Sequence, residues 1–227
     1  MEDYLSESEK WEAIKVWLRE NTLWILGGVV LGGALIGGYR WYGDHVDNQA
    51  LVASTKYQQV IEAFAKGDRT GAASQISLME HDFPGSPYVD QARLVAARSY
   101  VDAGDLDHAA AALQAVVDQS KDKNVALISR LRLARVQIAL KKPDNALATL
   151  TAATPGAFAP RFHEVQGDAY HAKGDDASAL REYQMARTGD LTGVTDTQLL
   201  DLKINDLLAD AGTTSKPTQP PAAAAAK

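Results

Sequence analysis

The sequence of 227 residues contains no cysteine, and that absence excludes disulfide frameworks, thiolate zinc sites, iron–sulfur clusters and cysteine nucleophiles together. It does not choose a compartment, since cysteine-free chains persist in cytosol and periplasm alike. Long runs of Lys or Arg are lacking too. The 23 basic residues stand against 29 acidic ones, for a formal net charge of −6 and a pI near 5.4. Nucleic acid is thereby excluded as a partner, because its binding draws most of its free energy from cations set along phosphates. Catalytic signatures are also missing: there is no G-x-x-x-x-G-K-[ST], no G-x-S-x-G, no H-E-x-x-H and no dinucleotide fingerprint after a strand. The expectation is a protein that is not an enzyme and takes no cofactor. At about 150 residues per domain the length permits one or two folded units.

What the chain does have, near its start, is one long uncharged run, Asn21 to Tyr39. As a helix its 19 residues rise about 1.5 Å each and come close to the roughly 30 Å of a bilayer's hydrocarbon core. Its six glycines would weaken a helix in water by about 1 kcal/mol each, but in lipid an unpaired backbone costs far more and helix is the stable choice. Trp24 at one end and Tyr39, Trp41 and Tyr42 at the other suit the two headgroup layers, and Arg19 and Arg40 bracket the run. Those flanks favour a membrane span over a buried core helix. A cleaved signal peptide is the competing reading, but the twenty residues ahead of the run carry six acids and no A-x-A site closes it. An uncleaved signal anchor over 21–42 is therefore expected.

Lys10, Lys15 and Arg19 precede the span and only Arg40 follows within fifteen residues, which places the N-terminus in the cytosol. Gly28-x-x-x-Gly32 and Gly33-x-x-x-Gly37 would let a second transmembrane helix approach closely. Over residues 1–20, Trp11, Ile14, Trp17 and Leu18 share one helical face, with Ser6 or Ser8 as a cap. Such a segment lies at the cytosolic membrane surface or docks a cytosolic partner.

Beyond residue 43 the chain is rich in alanine at helical spacing, and it repeats itself. Gly167, Tyr170, Gly174, Ala179, Tyr183 and Ala186 keep the tetratricopeptide pattern of a small residue, an aromatic, a turn glycine and a small residue on a second helix. Ala97, Tyr100, Gly104, Ala109, Leu113 and Val116 repeat it, as do Ala134, Gln137, Ala146, Leu150 and Ala153 with Pro143 in the turn. A fainter copy runs through Val60, Ala63, Gly67, Ala72, Ile76 and Met79. The equivalent positions Ala63, Tyr100, Gln137 and Tyr170 are 37, 37 and 33 residues apart, near the 34-residue period of helix–turn–helix repeats. Small residues let antiparallel helices close to about 8–10 Å, and stacking buries faces that a single pair leaves open.

Phe83 to Tyr88 and Thr154 to Pro160, both rich in Pro and Gly, stop one helix and restart the next. Thr195 is placed to cap a helix from Asp196 to about Asp210, with Leu199, Leu202, Leu207 and Leu208 covering the open end of the stack. The tail from 212 to 227 has no apolar anchor and is expected to be disordered. The fold class is thus all-α: a single N-terminal transmembrane helix, then an α-solenoid of about four helix pairs over 43–211 with a C-terminal capping helix.

First-helix positions should line the concave face: Tyr57, Ile61, Phe64, Leu94, Arg98, Asp102, Leu131, Arg135, Ile138, Glu164, Asp168 and His171. Apolar anchors beside mixed charge suit a polypeptide better than a small molecule. The Lys and Asn carboxylate clamp of cytosolic cochaperone repeats is not found at these positions. His163 and His171, with Glu164 and Asp168 nearby, could in principle hold a divalent ion, but solvated groove residues are ordinary there and no metal site is expected. Asp175-Asp176 reads as a helix start.

The short cytosolic helix, the glycine-rich anchor followed by Tyr39-Arg-Trp-Tyr42, Leu131-Arg-Leu-Ala-Arg-Val-Gln137 and Leu202-Lys-Ile-Asn-Asp-Leu207 together resemble the YfgM-like ancillary subunits of the SecYEG translocon, over roughly residues 9 to 208. The resemblance implies a single-pass protein of the bacterial inner membrane with a periplasmic repeat domain. It also implies association with SecYEG and with a membrane-anchored foldase of the PpiD type, and transfer of translocating or unfolded polypeptides to periplasmic chaperones. A contact of residues 1–20 with an envelope-stress response regulator is implied as well. The alternative is a scaffold for another envelope machine, such as outer-membrane protein assembly or cytochrome maturation.

The charge bias predicts that protease added outside spheroplasts digests residues 43–211 and leaves 1–20 intact. Protection of the repeat region in immunoblots of treated spheroplasts would reverse the orientation.

Overall fold

A computed structural model of the chain describes residues 7–188 and 197–214; the Ser6, Thr195 and Asp196 capping positions and residues 215–227 of the expected tail lie outside them. The chain divides into two compact units, Met1–Val52 and Ala53–Lys227. Every described element is helical: α1 (Glu7–Ala65), α2 (Arg69–Asp82), α3 (Pro87–Asp102), α4 (Leu106–Gln119), α5 (Lys123–Ala139), α6 (Pro143–Thr151), a 3₁₀ turn (Gly156–Phe158), α7 (Ala159–Ala172), α8 (Asp176–Thr188) and α9 (Thr197–Thr214).

In the first unit α1 carries the apolar run, and among the described residues it is the one helix long and apolar enough to cross a membrane. Its large side chains are uncovered by protein, with Leu23 and Trp24 more than four-fifths exposed, as a lipid-facing surface requires. Polar residues at the N-terminal entrance to the run satisfy themselves: Asn21 Nδ2 donates to the Trp17 carbonyl at 2.9 Å and Thr22 Oγ1 to that of Leu18 at 2.6 Å. Such back-bonding keeps polar groups paired where water thins out. At the other aromatic girdle Trp41 stacks on His45, ring centroids 5.9 Å apart. Ser8 lies inside α1 and so does not cap it. Residues 43–52 contain no proline to break the helix, and α1 runs on through them into the second compact unit, which begins at Ala53.

The second unit is built from four hairpins that share one turn. At Gly67, Gly104, Lys141 and Gly174 the backbone enters the left-handed region, with φ of 78°, 76°, 59° and 79°. The following N–H then reaches back five residues, Asp68 to the Ala63 carbonyl, Asp105 to Tyr100, Lys142 to Gln137 and Asp175 to Tyr170, at 2.8–3.0 Å. This closes the first helix of each pair. In three of the four turns the same residue opens the second helix. Asp68, Asp105 and Asp175 accept from the N–H groups of Gly71, His108 and Ser178, the capping that Asp provides. In the third turn Lys142 makes no such bond and Pro143, the first residue of α6, supplies the preset φ instead.

Burial is shared between neighbouring hairpins rather than kept within them. Val60 and Ala63 of α1 pack with Ala72, Ile76 and Met79 of α2 and with Val89, Ala92 and Ala96 of α3. Ala97 then meets Ala109, Leu113 and Val117 of α4 and Leu133 and Val136 of α5. Leu131 and Ala134, on another face of α5, join Ala146 and Leu150 of α6 and Phe162, Val165 and Ala169 of α7. At the end of the stack Ala179, Tyr183 and Ala186 of α8 are covered by Leu200, Ile204 and Leu207 of α9. The capping helix is therefore present, but its buried stripe is Leu200-Ile204-Leu207. Of the expected covering residues only Leu207 is buried, while Leu199, Leu202 and Leu208 stay exposed. The cause is rotational: α9 carries two overlapping leucine stripes, and the one chosen also brings Lys203 against α7. The helix also runs to Thr214, past the expected boundary at 212.

The third turn makes a prediction. Lys141 is a lone non-glycine residue at positive φ among the described residues, a conformation that costs an L-residue roughly 1–2 kcal/mol. Lys141→Gly removes that strain and gives back part of it as unfolded-chain entropy, so urea unfolding should show a net gain of about 0.5–1 kcal/mol. A loss would mean that the lysine side chain itself holds the turn.

Candidate functional site

The side chains of α5 show how the fold makes a site. Leu131, Ala134 and Ile138 face α6 and α7, Leu133 and Val136 face α3 and α4, and the strip between them carries Arg132 and Arg135, both exposed. Spaced three apart, these arginines lie side by side. On α3, Ala92 and Ala96 are consumed by the first hairpin, which leaves Gln91, Leu94, Arg98 and Val101 on the strip that looks toward α5. A groove of about 730 Å³ runs between them, lined by Tyr57 of α1, by Gln91, Leu94, Val95, Ala97, Arg98 and Val101 of α3, by Leu113 of α4 and by Arg132, Arg135 and Val136 of α5. Its floor is apolar and its only charges are three guanidinium groups. Arg98 Nε stands 3.6 Å from Asp102, in an exposed pair, and Arg135 Nη2 stands 3.9 Å from Glu164. For Arg132 the structure shows no ion pair with any described residue.

Of the twelve residues expected to line the concave face, the structure brings together Tyr57, Leu94, Arg98 and Arg135. Leu131 is in the core and Ile138 packs beside it. Phe64 meets Tyr100 edge-on, ring centroids 6.2 Å apart, within the first cluster, and Ile61, half-buried on α1, does not line the groove. Asp102 reaches the groove only through Arg98. Gln91, Val95, Ala97, Val101, Leu113, Arg132 and Val136 line the groove without having been expected there, although Arg132 is one helical turn from Arg135, and Gln91 one turn from Leu94, on the same strips.

Glu164, Asp168 and His171 serve other purposes. Glu164 is nearly fully buried and receives Arg161 Nη1 at 2.8 Å and Lys203 Nζ at 3.2 Å. Lys203 also donates to Asp168 at 2.7 Å, and the same Asp168 oxygen accepts the Tyr183 hydroxyl at 2.8 Å. The ammonium of Lys203 lies 5.5 Å from the centre of the Tyr183 ring. Burial pushes the Glu164 carboxyl up, but the hydrogen bonds and field of Arg161 and Lys203 outweigh it and hold it below the ordinary value. Burial, with the Asp168 charge, raises the Tyr183 phenol, which stays a donor. Gly167 makes room for this ring: a methyl there would stand 2.4 Å from it. The set is a latch that fixes α9 on α7 and α8, and it removes two carboxylates from the groove.

His171 Nδ1 pairs with Asp176 at 2.7 Å and His163 Nδ1 with Glu182 at 2.8 Å, so the two imidazoles serve separate partners. No group of three or more His, Asp or Glu that could hold a metal ion stands together among the described residues. In the first unit Gly28, Gly32, Gly33 and Gly37 have open space where each Cβ would stand.

Four stacked hairpins, a capped end and a groove with an apolar floor define a helical-repeat binding protein of the tetratricopeptide class, carried on a candidate membrane span. Residues 15–209 match the tetratricopeptide repeat-like domain family. The chain belongs to that family, in the branch of the ancillary SecYEG translocon subunits. It is 34% identical over 210 residues to the protein of that name from Escherichia coli (strain K12), covering 91% of this chain and 99% of the relative. Proteins of the same name from Aggregatibacter actinomycetemcomitans and Neisseria gonorrhoeae (strain ATCC 700825 / FA 1090) are 29% and 27% identical, over 89% and 91% of this chain and 98% and 100% of theirs. A solved structure, MamA 41-end from Desulfovibrio magneticus RS-1, superposes with a TM-score of 0.47 at 13% identity, over 74% of this chain and 98% of that one.

The latch predicts a pH signature. A carboxyl with a depressed folded pKa stabilises the fold above its unfolded value, near 4.5 for Glu164, and the contribution is lost as pH falls through the folded value. Glu164→Gln should therefore cost about 1–3 kcal/mol in urea unfolding at pH 7, and the gap to the parent should narrow below pH ~4.5. A gap that is constant with pH would show that the charge of Glu164 contributes nothing.

Proposed function

We propose that this protein is a membrane-anchored adaptor of the SecYEG translocon whose repeat unit, on the periplasmic side of the inner membrane, receives polypeptides as they emerge. The groove between α3 and α5 carries the reading: an apolar floor with polar charge along the rim is the composition that polypeptide recognition uses. The relatives that bear the translocon name are matched along nearly their whole length, anchor and repeats together, which supports carrying the association to this chain. Excess Lys and Arg ahead of the span supports a cytosolic N-terminus. Gly28, Gly32, Gly33 and Gly37 offer backbone approach to a helix of the translocon.

In this reading chains held in the groove pass to periplasmic chaperones and to a foldase of the PpiD type. The exposed Trp11, Ile14, Trp17 and Leu18 serve the membrane surface or a contact with an envelope-stress response regulator.

The test is purification in mild detergent together with photocrosslinking in cells from Gly33 in the span and from Leu94 in the groove. SecYEG should copurify, Gly33 should crosslink to a translocon subunit, and Leu94 to secretory chains or a foldase. A preparation free of SecYEG, with crosslinks to an outer-membrane assembly factor instead, would replace this reading with the scaffold.

A further inference from the structure

The groove's charge goes further than polypeptide binding in general. In a chain with a net charge of −6, the lining of this groove includes Arg98, Arg132 and Arg135 and no Asp or Glu. The carboxylates that reach the groove's arginines are Asp102 and Glu164, at 3.6 and 3.9 Å, and Glu164 has closer partners in Arg161 and Lys203. Arg132 has no carboxylate partner among the described residues. Past Gln91 and Leu94, which line both, the groove runs on into a second pocket of about 660 Å³ whose charged lining is balanced, Asp90 and Asp122 against Lys121 and Lys123, so the excess of positive charge belongs to the first groove. A volume of 730 Å³ alone would suit a small molecule, but a trough that continues past one end suits a chain that passes through it.

Resting on the adaptor reading, we propose that the groove selects an extended internal polypeptide segment in which apolar side chains alternate with Asp or Glu. Apolar residues take the floor at Leu94 and Val101, while the acidic ones face the three guanidinium groups. Extended residues point alternately to opposite sides, which fits a floor of one character and a rim of another. The side chains of the chain's own residues 215–227 are not complementary, because the charged ones are Lys216 and Lys227, of the same sign as the groove.

The test uses the full chain in detergent and two fluorescent peptides, acetylated and amidated so that neither carries a terminal charge. Both alternate Leu and Val with a charged residue, Glu in one and Lys in the other. The Glu peptide should bind about tenfold tighter at low salt, and the advantage should shrink at about 0.5 M salt, where screening is strong. Arg132→Glu should abolish or reverse the preference, and Arg132→Gln should reduce it, with thermal unfolding unchanged because the residue is exposed and makes no ion pair. Equal binding of the two peptides would overturn the acidic selection and leave the adaptor reading standing. Binding only when a free C-terminal carboxylate is restored, or a dimer that Arg132→Glu dissolves without any peptide binding, would overturn the proposal as well. Loss of SecYEG copurification with the Glu preference intact would instead break the adaptor reading.

Discussion

A pair of antiparallel helices has apolar residues on more than one side and only one partner to cover them. Everything in the repeat unit answers that constraint. α5 shows it most plainly, with Leu131 and Ala134 buried toward one hairpin and Leu133 and Val136 toward another. A helix covered on two sides has one strip left, and across the stack those strips make the groove. The site is thus what the packing leaves over, and its chemistry is set by residues that the core does not claim. At the ends of the stack the constraint has no neighbour to meet it. α9 closes the far end by adding Leu200, Ile204 and Leu207 to Tyr183 and the alanines of α8.

The hairpins were legible because one geometric event recurs. Left-handed φ at Gly67, Gly104, Lys141 and Gly174 falls at the spacing of the small-residue pattern, and glycine marks three of the four turns. The fourth was found through Ala134, Ala146 and Pro143, since lysine leaves no such mark. The span was legible because a charge-free run of bilayer length between two aromatic girdles suits lipid on every side and water on none. The end of the long helix was less so. One glycine in a helix costs only about 1 kcal/mol, so Gly43 does not end α1, and residues 44–52 contain no proline that would stop it.

The groove was read less well, for a physical reason. Periodicity says which residues share a face of a helix, but not which of two neighbouring faces the adjacent hairpins bury. Leu131 and Arg132 are adjacent in sequence, and their fates differ by a rotation of about 100°. Leu131 is in the core and Arg132 in the groove. The leucines of α9 fail in the same way. Glu164 and Asp168 were placed in the groove because the first-helix pattern puts them there. What removes them is Lys203, 39 and 35 positions away in sequence, a contact that no local spacing encodes.

Latch and groove meet at Arg135. Its guanidinium is 3.9 Å from Glu164, against 2.8 Å for Arg161 and 3.2 Å for Lys203, so it is the loosest of three cations around one buried carboxylate. A buried charge must keep close partners, and Glu164 keeps two when Arg135 turns away. Arg135 is therefore the member of the set that a ligand carboxylate in the groove can recruit without unseating α9. Lys203 has no such freedom, since Asp168 and Glu164 both depend on it and Tyr183 packs against it. The division follows from burial. The cation in contact with buried Glu164 and half-buried Asp168 is committed to the fold, and the more distant one, half in water, is available to the site.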